Sequence, residues 1–254
     1  MTVPAAECSA RSTELDEPIG ATAPVARAWV VLEQPGPWGR EALTASHLDP
    51  GVGARLAAHA EGTGVRLLLM RRPGRHPDTH TAQRRRVYVA ATSPGASWLT
   101  STLVDSPEEL LSWDLAALGA GRAAGGGEPV DEPVLFVCTN SRRDRCCALR
   151  ARPVADELAA AHPGRVWECT HLGGHRFAPT ALVLPYGLVY GRLTAERVHA
   201  ELGQIVCGHR PGRERDDERI LLWHRGLSTT DIALGRAMLE RARDMGVGTR
   251  LPYR

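Results

Sequence analysis

The chain has 254 residues, 43% of them hydrophobic, and a formal net charge of +2 from 31 basic and 29 acidic side chains, a composition with room for one large or two modest globular domains. Every basic residue is an arginine, which excludes Schiff-base catalysis and the phosphate-binding P-loop, both of which need a lysine. The longest apolar runs, "VRLLLM" and "ALVLP", are far shorter than the roughly 20 residues that span a bilayer, and the start lacks the basic-then-apolar pattern of a signal peptide, so a soluble, cytoplasmic protein with no membrane partner is expected.

In chain order, residues 1–20 are polar and turn-rich and predict a loosely held start. Ala28 to Glu33 predicts a strand, closed by the rigid turn Pro35-Gly36-Pro37 with Trp38 as a packing anchor. A helix around Gly53 to Ala60 precedes three more strand candidates, "GVRLLLMRR", "RRVYVAAT" and "SWLTSTLV". Ser106 before Pro107 and two glutamates predicts a helix start. The glycine-rich, aperiodic segment Gly119 to Pro133 reads as a linker, so residues 1–128 are expected to form an N-terminal mixed α/β domain that ends in it.

The second half predicts a buried strand at Val134 to Val137, a helix started by Pro153 and running through Ala161, and a strand at Val166 to Thr170. A hairpin turning at Tyr186-Gly187 follows, then an amphipathic helix from Thr194 to near Gly203. The order β-α-β, loop, β-β-α is that of a thioredoxin-like domain, assigned to 129–210. Residues 211–254 form a helical extension with a capping box at Ser228 to Asp231. The fold class is therefore α/β (mixed α+β), and no short-period repeat is evident.

Arginine clusters at "RRPGRH", Arg84 to Arg86 and "RRDR" read as solvated surface or as a steering patch for an acidic protein partner. At 5% aromatic residues the chain is poor in the stacking side chains of single-strand binding, so no nucleic-acid partner is expected.

Four of the six cysteines, and two histidines four residues apart, His171 and His175, gather in the stretch that ends at His175. In a reducing compartment clustered cysteines serve as metal ligands or redox groups more often than as disulfides. Cys138 ends a predicted strand, Cys146 and Cys147 sit in an Arg-rich loop before a helix, and His171 and His175 flank Gly173-Gly174 at the end of the next strand. Thiolates with imidazoles suit structural zinc, or a [2Fe–2S] cluster in which histidines replace two cysteines. The separation of Cys138 from Cys147 exceeds the two to four residues usual in zinc fingers. Arginines nearby are expected to favour the thiolate form. Cys169 reads as a small buried side chain, and Cys8 and Cys207 as structural or free thiols. His76 and His80 repeat the spacing in a polar loop without cysteines and read as solvent-exposed, while for His162, His209 and His224 the sequence alone points to no particular role. The chain has no Cys-x-x-Cys, which weighs against a thiol–disulfide enzyme pairing Cys138 with Cys146 or Cys147.

"VCTNSRRDRCCALRARPVADEL" and "HLGGHRFAPTALVLPYGLVYGRL", with "GATAPVARAWVVLEQPGPWG" near the start, resemble the sucrase/ferredoxin-like family, a group of thioredoxin-like ferredoxins. The resemblance runs from about residue 7 to residue 206. It implies a [2Fe–2S] cluster held by Cys138, Cys147, His171 and His175, with Cys146 as the alternative to Cys147. It also implies single-electron transfer between redox protein partners rather than stand-alone catalysis. This chain has "CTNS", Thr139-Asn140-Ser141, where the family pattern has "CTHG". No motif supports a paired-carboxylate glycosidase. A zinc-binding interaction module and a thiol–disulfide redox protein are the alternatives.

Overall fold

Runs dense in valine and leucine pair into one nine-stranded mixed sheet whose central strands are buried on both faces, as continuous apolar runs select. The computed structural model describes residues 8–17, 19, 23–74, 84–93, 95–194 and 241. Its strands are β1 (Ala28–Glu33), β2 (Val65–Arg71), β3 (Arg85–Ala91), β4 (Trp98–Val104), β5 (Glu128–Pro129), β6 (Val134–Cys138), β7 (Val166–Cys169), β8 (Ala181–Leu184) and β9 (Leu188–Tyr190), in the order β5-β4-β3-β1-β2-β7-β6-β8-β9. The helices are α1 (Cys8–Glu14), α2 (Pro50–Ala60), α3 (Leu115–Gly119) and α4 (Arg145–Ala161). The mixed α/β class is as expected. The expected domain boundary at 128/129 falls within β5, and the sheet is continuous on both sides of it.

One topology occurs twice. β1 and β2 are parallel across α2, with β3 and β4 added antiparallel beside β1. β6 and β7 are parallel across α4, with β8 and β9 added antiparallel beside β6. The two units meet edge to edge where β2 runs antiparallel to β7, Met70 opposite Cys169 and Arg71 opposite Glu168. Because the overlap lies at the C-terminal ends of β2 and β7, and Glu33 and Cys138 are level with it on β1 and β6, the loops leaving all four central strands converge there. Open α/β sheets bind ligands outside the carboxyl ends of their strands.

Tyr88 of β3 packs edge-on to Phe136 of β6 at 5.7 Å and to Trp167 of β7 at 5.9 Å. β3 and β6 are four strands apart, about 19 Å in a flat sheet, so the sheet curls around one shared core. That core includes Trp29, Met70, Tyr88, Phe136, Trp167 and Leu182. On the outer faces, Leu56 and Leu118 cover Val30 and Leu69 in the first unit, and Ala151, Ala155 and Leu158 of α4 cover Val137 and Val166 in the second.

Several expectations are corrected. Part of the start is not loose: α1 buries Ser9 and Ser12, and Arg192 donates to the Ser12 and Glu17 carbonyls at 2.9 and 2.8 Å. The Ser106 capping box forms, yet it opens a 3-10 turn, Pro107–Ser112, after which Asp114 caps α3 separately. The glycine-rich segment is not a free spacer. A Cβ at Gly119 would overlap the Thr63 carbonyl oxygen and one at Gly125 the Trp113 ring, and Glu128–Pro129 pairs with β4. Nor are the arginine clusters all solvated: Arg71 is buried, while Arg72 stays exposed and stacks on Trp167 at 3.7 Å. The expected helix at 194–203, the Ser228 capping box, Cys207, His209, His224 and the His76/His80 pair lie outside the described residues.

Candidate metal centre

Asp144, not Pro153, starts the helix of the second unit. Its carboxylate accepts from the Cys146 N–H at 2.8 Å as an N-cap, so Cys146 and Cys147 belong to the first turn of α4 rather than to a loop. The buried positions Cys147, Ala151, Ala155 and Leu158 form one helical stripe, and Pro153 sits inside the helix on its exposed side. Consecutive helical residues point about 100° apart. Cys147 is accordingly turned to Cys138 at the end of β6, while the Sγ of Cys146 lies 3.7 Å from that of Cys8 on α1.

The histidines come from the loop after β7. Thr170 extends the seam, its N–H donating to the Leu69 carbonyl at 2.9 Å and its hydroxyl accepting from the Leu69 N–H at 3.0 Å. Gly173 and Gly174 then take φ of 101° and 62°, a left-handed bend that side chains resist, and His175 begins a 3-10 turn, His175–Phe177. Ligand atoms of Cys138, Cys147 and His171 lie within 4.8 Å of one another. His175 is outside that group, exposed, with its ring 6.0 Å from the His171 ring. The structure thus gathers three of the four expected residues and leaves the fourth at the rim. Cys146 is turned away from them, and Cys169 is fully buried as packing, its thiol raised chiefly by that burial.

Cys147 hydrogen-bonds to Cys138, and this contact outweighs burial in holding the Cys138 thiol well below its usual value, aided by His171 and the Leu172 backbone. Cys147 is pushed up by the same bond first and by burial second. The lowering at Cys138 therefore has these neighbours as its main causes, not the arginines expected from the sequence.

A buried ionic network holds the strand ends. Arg71 pairs with Glu168 across the seam at 2.6 Å, donates to the Gly36 carbonyl at 2.7 Å and stacks on Trp38 at 4.2 Å. The Thr139 hydroxyl donates to the same Glu168 carboxylate at 2.8 Å. Asn140, which replaces the histidine of the family pattern, is buried and donates to the Gly39 carbonyl at 3.2 Å, and Arg143 pairs with Glu41. The turn around Trp38 is thus the anchor expected, packed against the cysteine loop. Glu168 escaped the sequence reading, although an acidic residue inside the buried four-residue strand "VWEC" is its signal. Asp144 escaped it because Pro153 offered a competing helix start.

The donor set fits a thiophilic metal or an iron–sulfur group: two buried sulfurs and an imidazole converge, and Nδ1 of His171 is buried without a hydrogen-bond partner.

The sequence profile of the sucrase/ferredoxin-like family matches residues 19–211, more than half of the chain, and the chain belongs to that family. Shorter stretches are similar to curated enzymes. A stretch of 63 residues is 40% identical to a Delta(1)-pyrroline-2-carboxylate reductase of Bacillus cereus, covering 25% of this chain and 19% of that one. A stretch of 61 residues is 44% identical to an N-((2S)-2-amino-2-carboxyethyl)-L-glutamate dehydrogenase of Staphylococcus aureus, covering 24% and 18%. A stretch of 63 residues is 32% identical to an alanine dehydrogenase of Archaeoglobus fulgidus, covering 25% and 20%. The chain spans about a fifth of the length of these curated relatives. No solved structure matches. Among the described residues no helix is long and apolar enough to cross a membrane.

Proposed function

We propose that this chain is a one-electron carrier in which Cys138, Cys147, His171 and His175 hold a [2Fe–2S] cluster. The observation that carries the reading is the convergence of Cys138, Cys147 and His171 at the strand ends, with His175 one bend further out. When bound, such a cluster supplies reversible one-electron transfer at a potential raised by its imidazole ligands. Cys138 and Cys147 would supply the thiolates from a position closed to water, and the histidines the imidazoles on the outer side. The Gly173-Gly174 bend sets the spacing of the two rings, and the Arg71–Glu168–Thr139 network fixes the loop that follows Cys138. The exposed His175 marks the face toward which a redox protein partner would dock, and neither a membrane nor a nucleic acid is part of this reading.

A second reading, one zinc ion in an interaction module, is favoured by one specific feature. Ligand atoms within 4.8 Å suit a single ion, since Zn–S of 2.3 Å and Zn–N of 2.0–2.1 Å keep tetrahedral ligands under about 4 Å apart. Metal and acid-labile sulfide analysis of protein purified without oxygen separates the two. About two irons and two sulfides per chain are expected. Colourless protein with zinc and no sulfide would transfer the assignment to the second reading. Failure to take up any metal on anaerobic reconstitution would leave thiol chemistry at Cys138 and Cys147.

A further inference from the structure

The first turn of α4 presents a second donor group on the side away from Cys147. The Cys146 and Cys8 sulfurs are 3.7 Å apart, the Cys8 sulfur is 3.6 Å from Oδ2 of Asp144, and one atom from each of the three lies within 4.8 Å of the others. Around a tetrahedral zinc, Zn–S of 2.3 Å and Zn–O of 2.0–2.2 Å place two sulfurs about 3.8 Å apart, and a sulfur and a carboxylate oxygen about 3.6 Å apart. Two edges of this triangle therefore already have the dimensions of a zinc site.

We propose that Cys8, Asp144 and Cys146 form a second metal site, for a thiophilic divalent cation of the zinc class, with a fourth position open to water. Cys146 is buried, Asp144 half-buried and Cys8 exposed, so the ion would enter from the Cys8 side. On binding, the two thiols release their protons to solvent, and Oδ2 of Asp144 exchanges the Cys8 S–H for the ion. Oδ1 keeps accepting from the Cys146 N–H and so continues to cap α4. The ion would link α1 directly to α4, one residue from Cys147. This assignment is independent of what Cys138 and its neighbours hold.

The test compares the full-length wild type with Cys8→Ser and Asp144→Asn, each equilibrated anaerobically with Zn²⁺, freed of loosely bound metal and analysed for zinc, iron and sulfide. Serine at an exposed position leaves the core intact, and asparagine caps a helix as well as aspartate does. Cys8→Ser should bind one equivalent of zinc fewer than the wild type, Asp144→Asn should hold that equivalent with a raised Kd in competition titration against a zinc chelator, and iron and sulfide should stay at the wild-type level. Unchanged zinc stoichiometry in Cys8→Ser, unchanged Kd in Asp144→Asn, or a Cys8–Cys146 disulfide in the anaerobic wild type would each overturn the site. Loss of iron in every sample alike would count instead against the cluster.

Discussion

Cys146 and Cys147 are neighbours in sequence but face different surroundings, because a helix turns about 100° at each residue. Replacing Cys147 by serine should therefore abolish iron and sulfide incorporation, whereas Cys146→Ser should retain both; elemental analysis of the two variants checks this. The sequence left this choice open, since ligand chemistry does not distinguish adjacent cysteines, and only the helix start at Asp144 separates them. Glu168 is held at the seam by buried partners. It is 1% exposed and bound by Arg71 and Thr139, and removing one partner of a buried pair costs about 3–5 kcal/mol. Glu168→Ala should lower unfolding free energy by that order in denaturant titration, and an effect within about 0.5 kcal/mol, the range of ordinary surface changes, would contradict the network's role. Its residues were legible only one at a time. Buried charge is readable from an acid in an apolar strand, but its partner lies 97 positions away.

Among the elements, the strands were largely legible, because dense β-branched and apolar runs bounded by turns mark them directly. β1 matches its expected limits, Ala28–Glu33. Helix starts were less so: Pro153 suits a first turn, yet it is tolerated on the exposed side of α4 where the ring meets solvent. The glycines at 119–127 misled for a related reason, since close packing and chain flexibility both select glycine. At Gly119 it is packing, and Gly119→Ala should destabilise the protein by about 1–3 kcal/mol, measured as a lower Tm. A free spacer would gain slightly from the same change. α1 carries a pH prediction. The Glu17 carboxyl is held below its ordinary value, first by its hydrogen bond from Arg176, so the folded protein binds that proton more weakly than the unfolded chain. Its contribution is complete above the ordinary carboxylate value and is lost as pH falls through the folded value. The protection factors of the α1 amides, which correct for the intrinsic slowing of exchange in acid, should accordingly fall on acidification, and Arg176→Gln should flatten that dependence.

For the whole molecule, the repeated β-α-β-β-β topology was invisible to the sequence reading, because pairing order leaves no short-period trace when the two units differ in side chains. What it produces is the site's position: four strand ends meet at the β2/β7 seam, and Cys138, Thr139, Thr170 and His171 lie in or beside it. The curled shared core also joins the units energetically. Tryptophan fluorescence, which samples Trp29, Trp38, Trp98 and Trp113 in the first unit and Trp167 in the second, and far-ultraviolet circular dichroism should report one coincident unfolding transition. Two separated transitions would show that the seam does not couple the units. The central claim, a cluster ligated by two cysteines and two histidines, is tested most directly by pulsed EPR of the reduced protein with and without ¹⁵N-histidine labelling. The account predicts two strongly coupled nitrogens that change with the label, and a reduced cluster lacking such couplings would contradict it.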